Sequence, residues 1–108
     1  MCGISGFNWE DKELIKDMCE IISHRGPNHQ GIYVDKDISL GNRRLSIIDT
    51  SERGNQPIIN ENGNLVITYN GEVYNFKEIR SDLLKKGYKF NSNTDTEVIL
   101  SAYQEYGK

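Results

Sequence analysis

The chain has 108 residues, 36% of them hydrophobic and 27% charged, with a formal net charge of -3. That length holds one domain of the usual size, about 100 to 150 residues, with a modest core, and the composition is that of a soluble globular chain rather than a disordered or fibrous one. Lys and Arg are scattered rather than gathered into the basic footprint of a nucleic-acid binder, and no apolar stretch approaches the roughly 20 residues needed to span a bilayer.

In chain order, "CGISGFNW" is short, apolar and rich in small residues, and it predicts a buried strand that anchors the N-terminus. The acids of "NWEDKE" interrupt any signal-peptide core, which places the protein in the cytoplasm. In "DKELIKDMCEIIS", Leu14, Ile15, Met18, Ile21 and Ile22 recur at helical spacing, with Cys19 beside the stripe as a small semi-buried hydrophobe. Gly26 and Pro27 of "HRGP" stop that helix, with His24 and Arg25 near its negative end. "GIYV", "ISLGNRRLSII" and "LVITYNG" read as strands, with "NENGN" as a hairpin connection. Two helices follow: Asn75 can cap "FKEIRSDLLKK", with Gly87 at its end, and Thr94 with Glu97 forms a capping box before "VILSAYQEY". The pattern is α+β, with antiparallel strands that need helices to cover them.

Chemistry begins at the second residue. Methionine ahead of a small residue is commonly trimmed, and trimming would leave Cys2 with a free α-amino group. The thiol is then a nucleophile and the amine, with an ordinary pKa of about 7.7 to 8.0, a base partly neutral near pH 7. Two cysteines and two histidines without paired spacing make neither a disulfide framework nor a structural zinc site.

"MCGI", "HRGP", "RRLSIID", "NQP", "YNGEVYN" and "TDTEV" stand in the order and approximate spacing of the class II glutamine amidotransferases, over essentially the whole chain. Within that class the chain resembles the glutaminase domain of asparagine synthetase. The resemblance implies a four-layer αββα N-terminal-nucleophile hydrolase sandwich with antiparallel sheets, of which residues 1–108 would be the N-terminal portion. The ATP-binding synthetase domain, with its ATP and Mg, would be absent from these residues, and the glutaminase portion would need no cofactor and no metal. The expected substrate is glutamine, with no nucleic-acid or membrane partner.

By resemblance, Cys2 is the nucleophile, and Asn70 and Gly71 form the oxyanion hole. Arg44 binds the substrate carboxylate, backbone groups around Ile47 line the pocket, and Glu72 and Asp95 hold the substrate ammonium. Each type suits its task. A guanidinium fork matches a carboxylate, and amide donors stabilise charge developing on a carbonyl oxygen. Arg25 would help to organise the surroundings of the nucleophile, and Arg43 reads as a solvated strand charge. Blander readings exist for two of them: Asn-Gly is a common turn, and an acid at position 95 would favour the start of a helix in any case.

Asn28 and Asn42 depart from the usual family pattern, an acid and a histidine respectively, and leave open an amidotransferase acting on a carboxylate other than aspartate. The family domain is nearly twice this length. Exposed sheet edges in a shortened version would favour homo-oligomer formation, and a non-catalytic glutamine-binding or assembly module is the alternative to an enzyme.

Overall fold

The computed structural model describes residues 2–46 and 51–107. Five strands and three helices appear among them, in the order β1 Gly3–Phe7, α1 Lys12–Ile21, β2 His29–Asp35, β3 Ile38–Arg44, β4 Ile58–Ile59, β5 Val66–Ile67, α2 Phe76–Lys85 and α3 Asp95–Tyr106. The first three strands form an antiparallel sheet in the order β1-β3-β2, and β4 pairs with β5 in a small antiparallel hairpin. This is the mixed α and β architecture with antiparallel sheets that the pattern of elements calls for.

Asp11 starts α1 by accepting a hydrogen bond from the Leu14 amide at 3.0 Å. The helix lies across one face of the sheet: a side chain at Gly41 in the central strand would collide with Cys19 Sγ and touch Ile15. Ile15 and Cys19 are fully buried there. The apolar stripe is narrower than its spacing predicts, since Ile21 is 75% exposed.

β1 is not the buried strand that its composition predicts. It lies at the sheet edge, pairs only with β3, and leaves Ile4 48% exposed. Small residues permit close packing wherever they occur, so "CGISGF" could not distinguish a central strand from an edge. Arg43 is also not a solvated charge. It donates to the Gly26 carbonyl at 3.0 Å and to Gln30 Oε1 at 2.8 Å, tying the "HRGP" turn and β2 to the central strand.

Alternation along β3 turns Asn42 and Arg44 to the face opposite α1, where segment 51–56, β5 and α3 cover them. α2 packs against α3, and Leu83 on α2 and Val98 and Leu100 on α3 are buried. The space between β3 and α3 is lined differently. Asn42, Arg44, Gln56, Thr94, Asp95, Thr96 and Glu97 are all buried, and among the described residues the buried polar side chains outnumber the buried apolar ones. Buried polar groups cost free energy unless they are satisfied, so an interior of this kind is organised by directed bonds rather than by volume filling.

The third helix shows how. Thr94 caps α3 by accepting from the Glu97 amide, as its capping box predicts. Glu97 does not return the bond to Thr94. Its carboxylate accepts from the Asn91 and Ser92 amides and from Ser92 Oγ, the last at 2.7 Å, while Ser92 Oγ takes the Thr94 amide. The box is expanded by two residues, and it fastens the chain entering the helix. Thr94→Ala is expected to cost about 1 kcal/mol, the usual loss for an N-cap hydroxyl, readable as a lowered urea midpoint with an unchanged m value. At the start of α2, Asn75 occupies the cap position without a side-chain cap bond. Strand "LVITYNG" is shorter than predicted, with only Val66 and Ile67 paired, because β4 offers two residues to pair with. No helix among the described residues is long and apolar enough to cross a membrane.

Candidate active site

A cavity of about 430 Å³ opens between β3, the segment after β5 and the N-terminus of α3. Its lining includes Cys2, Arg44, Asn70, Gly71, Glu72 and Asp95, six of the seven positions singled out in the sequence. The seventh, Ile47, lies outside the described residues.

Cys2 is half-buried immediately before β1, and pairing of Gly3 with Arg43 carries it to the end of the central strand. Its Sγ accepts from the Leu45 amide at 3.3 Å and lies 3.7 Å from the Leu45 carbonyl. Arg25 Nε donates to the Cys2 carbonyl at 3.4 Å, a direct reason for a cation in "HRGP". The first residue after Met1 is therefore tied down by three contacts, whereas chain ends ordinarily fray.

Arg44 ends β3 and is 5% exposed. Its Nη1 donates to neutral oxygens, the Ser51 carbonyl and Asn55 Oδ1, and among the described residues no carboxylate pairs with it. The backbone of Gly54 is packed against the guanidinium, so close that a β-carbon there would come within 2.3 Å of Nη2. A buried cation whose partners among the described residues are neutral dipoles can take an anion, because those dipoles offset its desolvation only in part.

Asp95, 5% exposed, opens α3. Its Oδ2 accepts from the Val73 amide at 3.0 Å, so it both favours the positive end of the helix and pins the loop that carries Asn70, Gly71 and Glu72. Asn70 is half-buried, and Gly71 and Glu72 are exposed.

Two neighbours report the field inside the cavity. The Tyr69 hydroxyl is pushed above the usual phenol range by burial and then by the Asp95 and Glu72 carboxylates. His29, which pairs with Arg44 across the sheet, is held below the usual imidazole range by burial and then by the Arg44 guanidinium. The cavity walls carry both signs of charge, the Arg44 guanidinium and the Glu72 and Asp95 carboxylates. That combination complements a zwitterionic amino acid, with the thiol of Cys2 and an amide-bearing loop on the same walls.

The whole chain, residues 1–108, matches the glutamine amidotransferase domain and belongs to that enzyme family. Among its relatives is asparagine synthetase [glutamine-hydrolyzing] 1 of Bacillus subtilis, 46% identical over 98% of this chain and 18% of that protein. Asparagine synthetase [glutamine-hydrolyzing] 2 of Oryza sativa is 37% identical over 98% of the chain and 17% of its own length. Amidase chry2 of Gibberella zeae is 34% identical over 99% of the chain and 18% of its own length. The chain thus spans less than a fifth of each of these three relatives.

Sequence reasoning gave no role to Gln56, Gly54, Tyr69 or Thr96, and to Thr94 only that of a helix cap, yet all five also line the cavity. "NQP" was a recognisable tag, but nothing in it says which distant groups its glutamine reaches.

Proposed function

We propose that this protein hydrolyses glutamine to glutamate and ammonia, with Cys2 as the nucleophile once Met1 has been removed. The single observation that carries the proposal is the convergence, on one cavity, of the Cys2 thiol, a buried guanidinium without a carboxylate partner among the described residues, and the Asp95 carboxylate. Glutamine presents the matching groups. Arg44 takes its α-carboxylate, and Glu72 with Asp95 takes its α-ammonium, which leaves the carboxamide beside the sulfur.

In this mechanism the α-amine of Cys2 accepts the thiol proton as Sγ forms a bond to the amide carbon and the carbonyl electron pair moves onto oxygen. Asn70 Nδ2 and the Gly71 amide donate to that oxyanion. Collapse of the adduct breaks the C–N bond, and the ammonium of Cys2 returns its proton to the departing nitrogen, which leaves as ammonia. Water, deprotonated by the same amine, then cleaves the γ-glutamyl thioester to release glutamate and restore the thiol. Backbone groups around Ile47 complete the pocket in this reading.

The ammonia would feed ATP-dependent synthesis of asparagine at a synthetase domain outside these 108 residues, where ATP and Mg would bind; no step described here runs through them. The remaining layers of an αββα sandwich would likewise lie outside this chain, which works in the cytoplasm in this reading. A second reading, in which the acceptor is a carboxylate other than aspartate, rests on Asn28 and Asn42, the two departures from the usual family pattern.

A γ-electrophilic analogue of glutamine tests the assignment. After incubation, mass spectrometry is expected to find one adduct on a peptide that begins with Cys2 and lacks Met1, with glutamine protecting against labelling. An adduct on Cys19, or a labelled peptide that retains Met1, would overturn the mechanism.

A further inference from the structure

We propose that Gln56 is a positioning residue for the oxyanion hole, acting through the backbone of Tyr69. The proposal rests on the glutamine-hydrolysis reading above and adds a residue to it that touches neither the substrate's ends nor the sulfur.

The side chain of Gln56 joins three segments remote in sequence. Its Oε1 accepts from the Tyr69 amide at 2.6 Å and from Asn42 Nδ2 at 3.2 Å, and its Nε2 donates to Thr96 Oγ1 at 3.1 Å. Tyr69 is the residue immediately before Asn70 and Gly71, and Thr96 immediately follows Asp95. Asn42 lies two residues before Arg44, on the same face of β3. One amide group therefore registers the strand that carries the guanidinium, the segment that carries the oxyanion donors, and the helix start that carries a carboxylate.

Two features make the placement specific. The backbone of Gln56 is wedged against β2, where a β-carbon on Gly31 would come within 1.7 Å of the Gln56 carbonyl oxygen, so the side chain projects from a fixed base. Gln56 also dictates the orientation of Asn42. Because Oε1 is an acceptor already used by Tyr69, Asn42 presents its NH₂ group, which bonds Gln56 and Thr68, and this leaves Asn42 Oδ1 buried without a side-chain or backbone partner among the described residues. An orphaned acceptor in a fully buried side chain is unfavourable, and native proteins keep few of them. Its presence next to Gln56 is explained if the bond to the Tyr69 amide takes precedence.

Oxyanion donors act by preorganisation, so loosening the Tyr69 amide should weaken binding of the developing charge more than binding of the ground state. The experiment compares two ligands. Glutamate, the product, uses Arg44, Glu72 and Asp95 but forms no oxyanion. The γ-aldehyde analogue of glutamine adds the Cys2 thiol reversibly: the thiol proton passes to the α-amine of Cys2, an Sγ–C bond forms, the carbonyl pair moves to oxygen, and that oxygen occupies the oxyanion site. For Gln56→Ala, kcat for glutamine hydrolysis and affinity for the aldehyde are expected to fall together by about 10- to 100-fold, while glutamate affinity stays within about threefold. Gln56→Met keeps the length of the side chain but offers no comparable acceptor to the Tyr69 amide and no donor to Thr96, and it is expected to lose as much kcat and aldehyde affinity as Gln56→Ala, which separates the hydrogen bonds from the space the side chain fills. If Gln56→Ala does not fold, Thr96→Val serves instead, since it frees one end of the amide and should lower kcat and aldehyde affinity in step by a smaller factor.

Equal losses for glutamate and aldehyde would reduce Gln56 to a structural role and overturn the proposal, as would an unchanged kcat. Failure of the underlying reading is visible separately: wild-type protein that releases no glutamate, or Cys2→Ala that still does, removes the hydrolysis itself and the positioning role with it.

Discussion

Cys2→Ala is expected to lower glutamate release by roughly 10⁴- to 10⁶-fold, the scale on which removal of an acyl-transfer nucleophile acts, while glutamine binding persists. The two outcomes separate because the structure divides the tasks. Sγ contacts the backbone of Leu45, and the groups assigned to the ends of the substrate reside on β3, on the loop after β5 and on α3. Alanine at position 2 keeps the Arg25 contact, which goes to the backbone carbonyl. A calorimetric titration of Cys2→Ala with glutamine should therefore give an affinity close to the wild-type KM, provided that KM reports binding. Loss of binding together with turnover would mean that Cys2 holds the pocket together rather than attacking the amide. Retention of Met1, by contrast, is expected to abolish turnover with the thiol still in place, because the amine is then part of a peptide bond and carries no basic lone pair.

Much of this site could be read before the fold was known, and the part that could not has a physical signature. Cys2, Arg44, Asn70 and Asp95 sit in short motifs shared with the family, so the resemblance could single them out without any distances, and all four line one cavity. The helices announced themselves through apolar spacing and, for α3, through Thr94 at its start. Gln56 left no such trace. Its partners are 13, 14 and 40 positions away, and hydrogen bonds of that span leave no local periodicity. Arg43 was misread for the same reason, since its partners, Gly26 and Gln30, are brought close only by the antiparallel register of β2 and β3. The bonds that Glu97 makes to Asn91 and Ser92 replaced a standard capping box with a looser variant whose sequence is indistinguishable from it. Whatever depended on local spacing was legible. Whatever depended on which face of β3 a segment crosses was not.

The second large effect is expected at Asn70, where a turn and an oxyanion hole predict different things for the same substitution. Asn70→Asp preserves a good turn former ahead of Gly71, since Asp-Gly supports the same turn as Asn-Gly, and should leave the thermal midpoint nearly unchanged. If Asn70 donates its side-chain amide to the oxyanion, the substitution replaces a donor with a carboxylate facing developing negative charge. kcat should then fall by at least the 100- to 1000-fold, roughly, that accompanies loss of one such donor, with KM for glutamine little altered. Asn70→Ala removes the donor without adding charge and should fall within that range, the residual rate being supported by the Gly71 amide. Aspartate worse than alanine in kcat, yet equal or better in stability, is the ordering that only an electrostatic role produces. The reverse ordering, or a change confined to KM, would assign Asn70 to the turn or to ground-state binding and leave the oxyanion with the Gly71 amide alone.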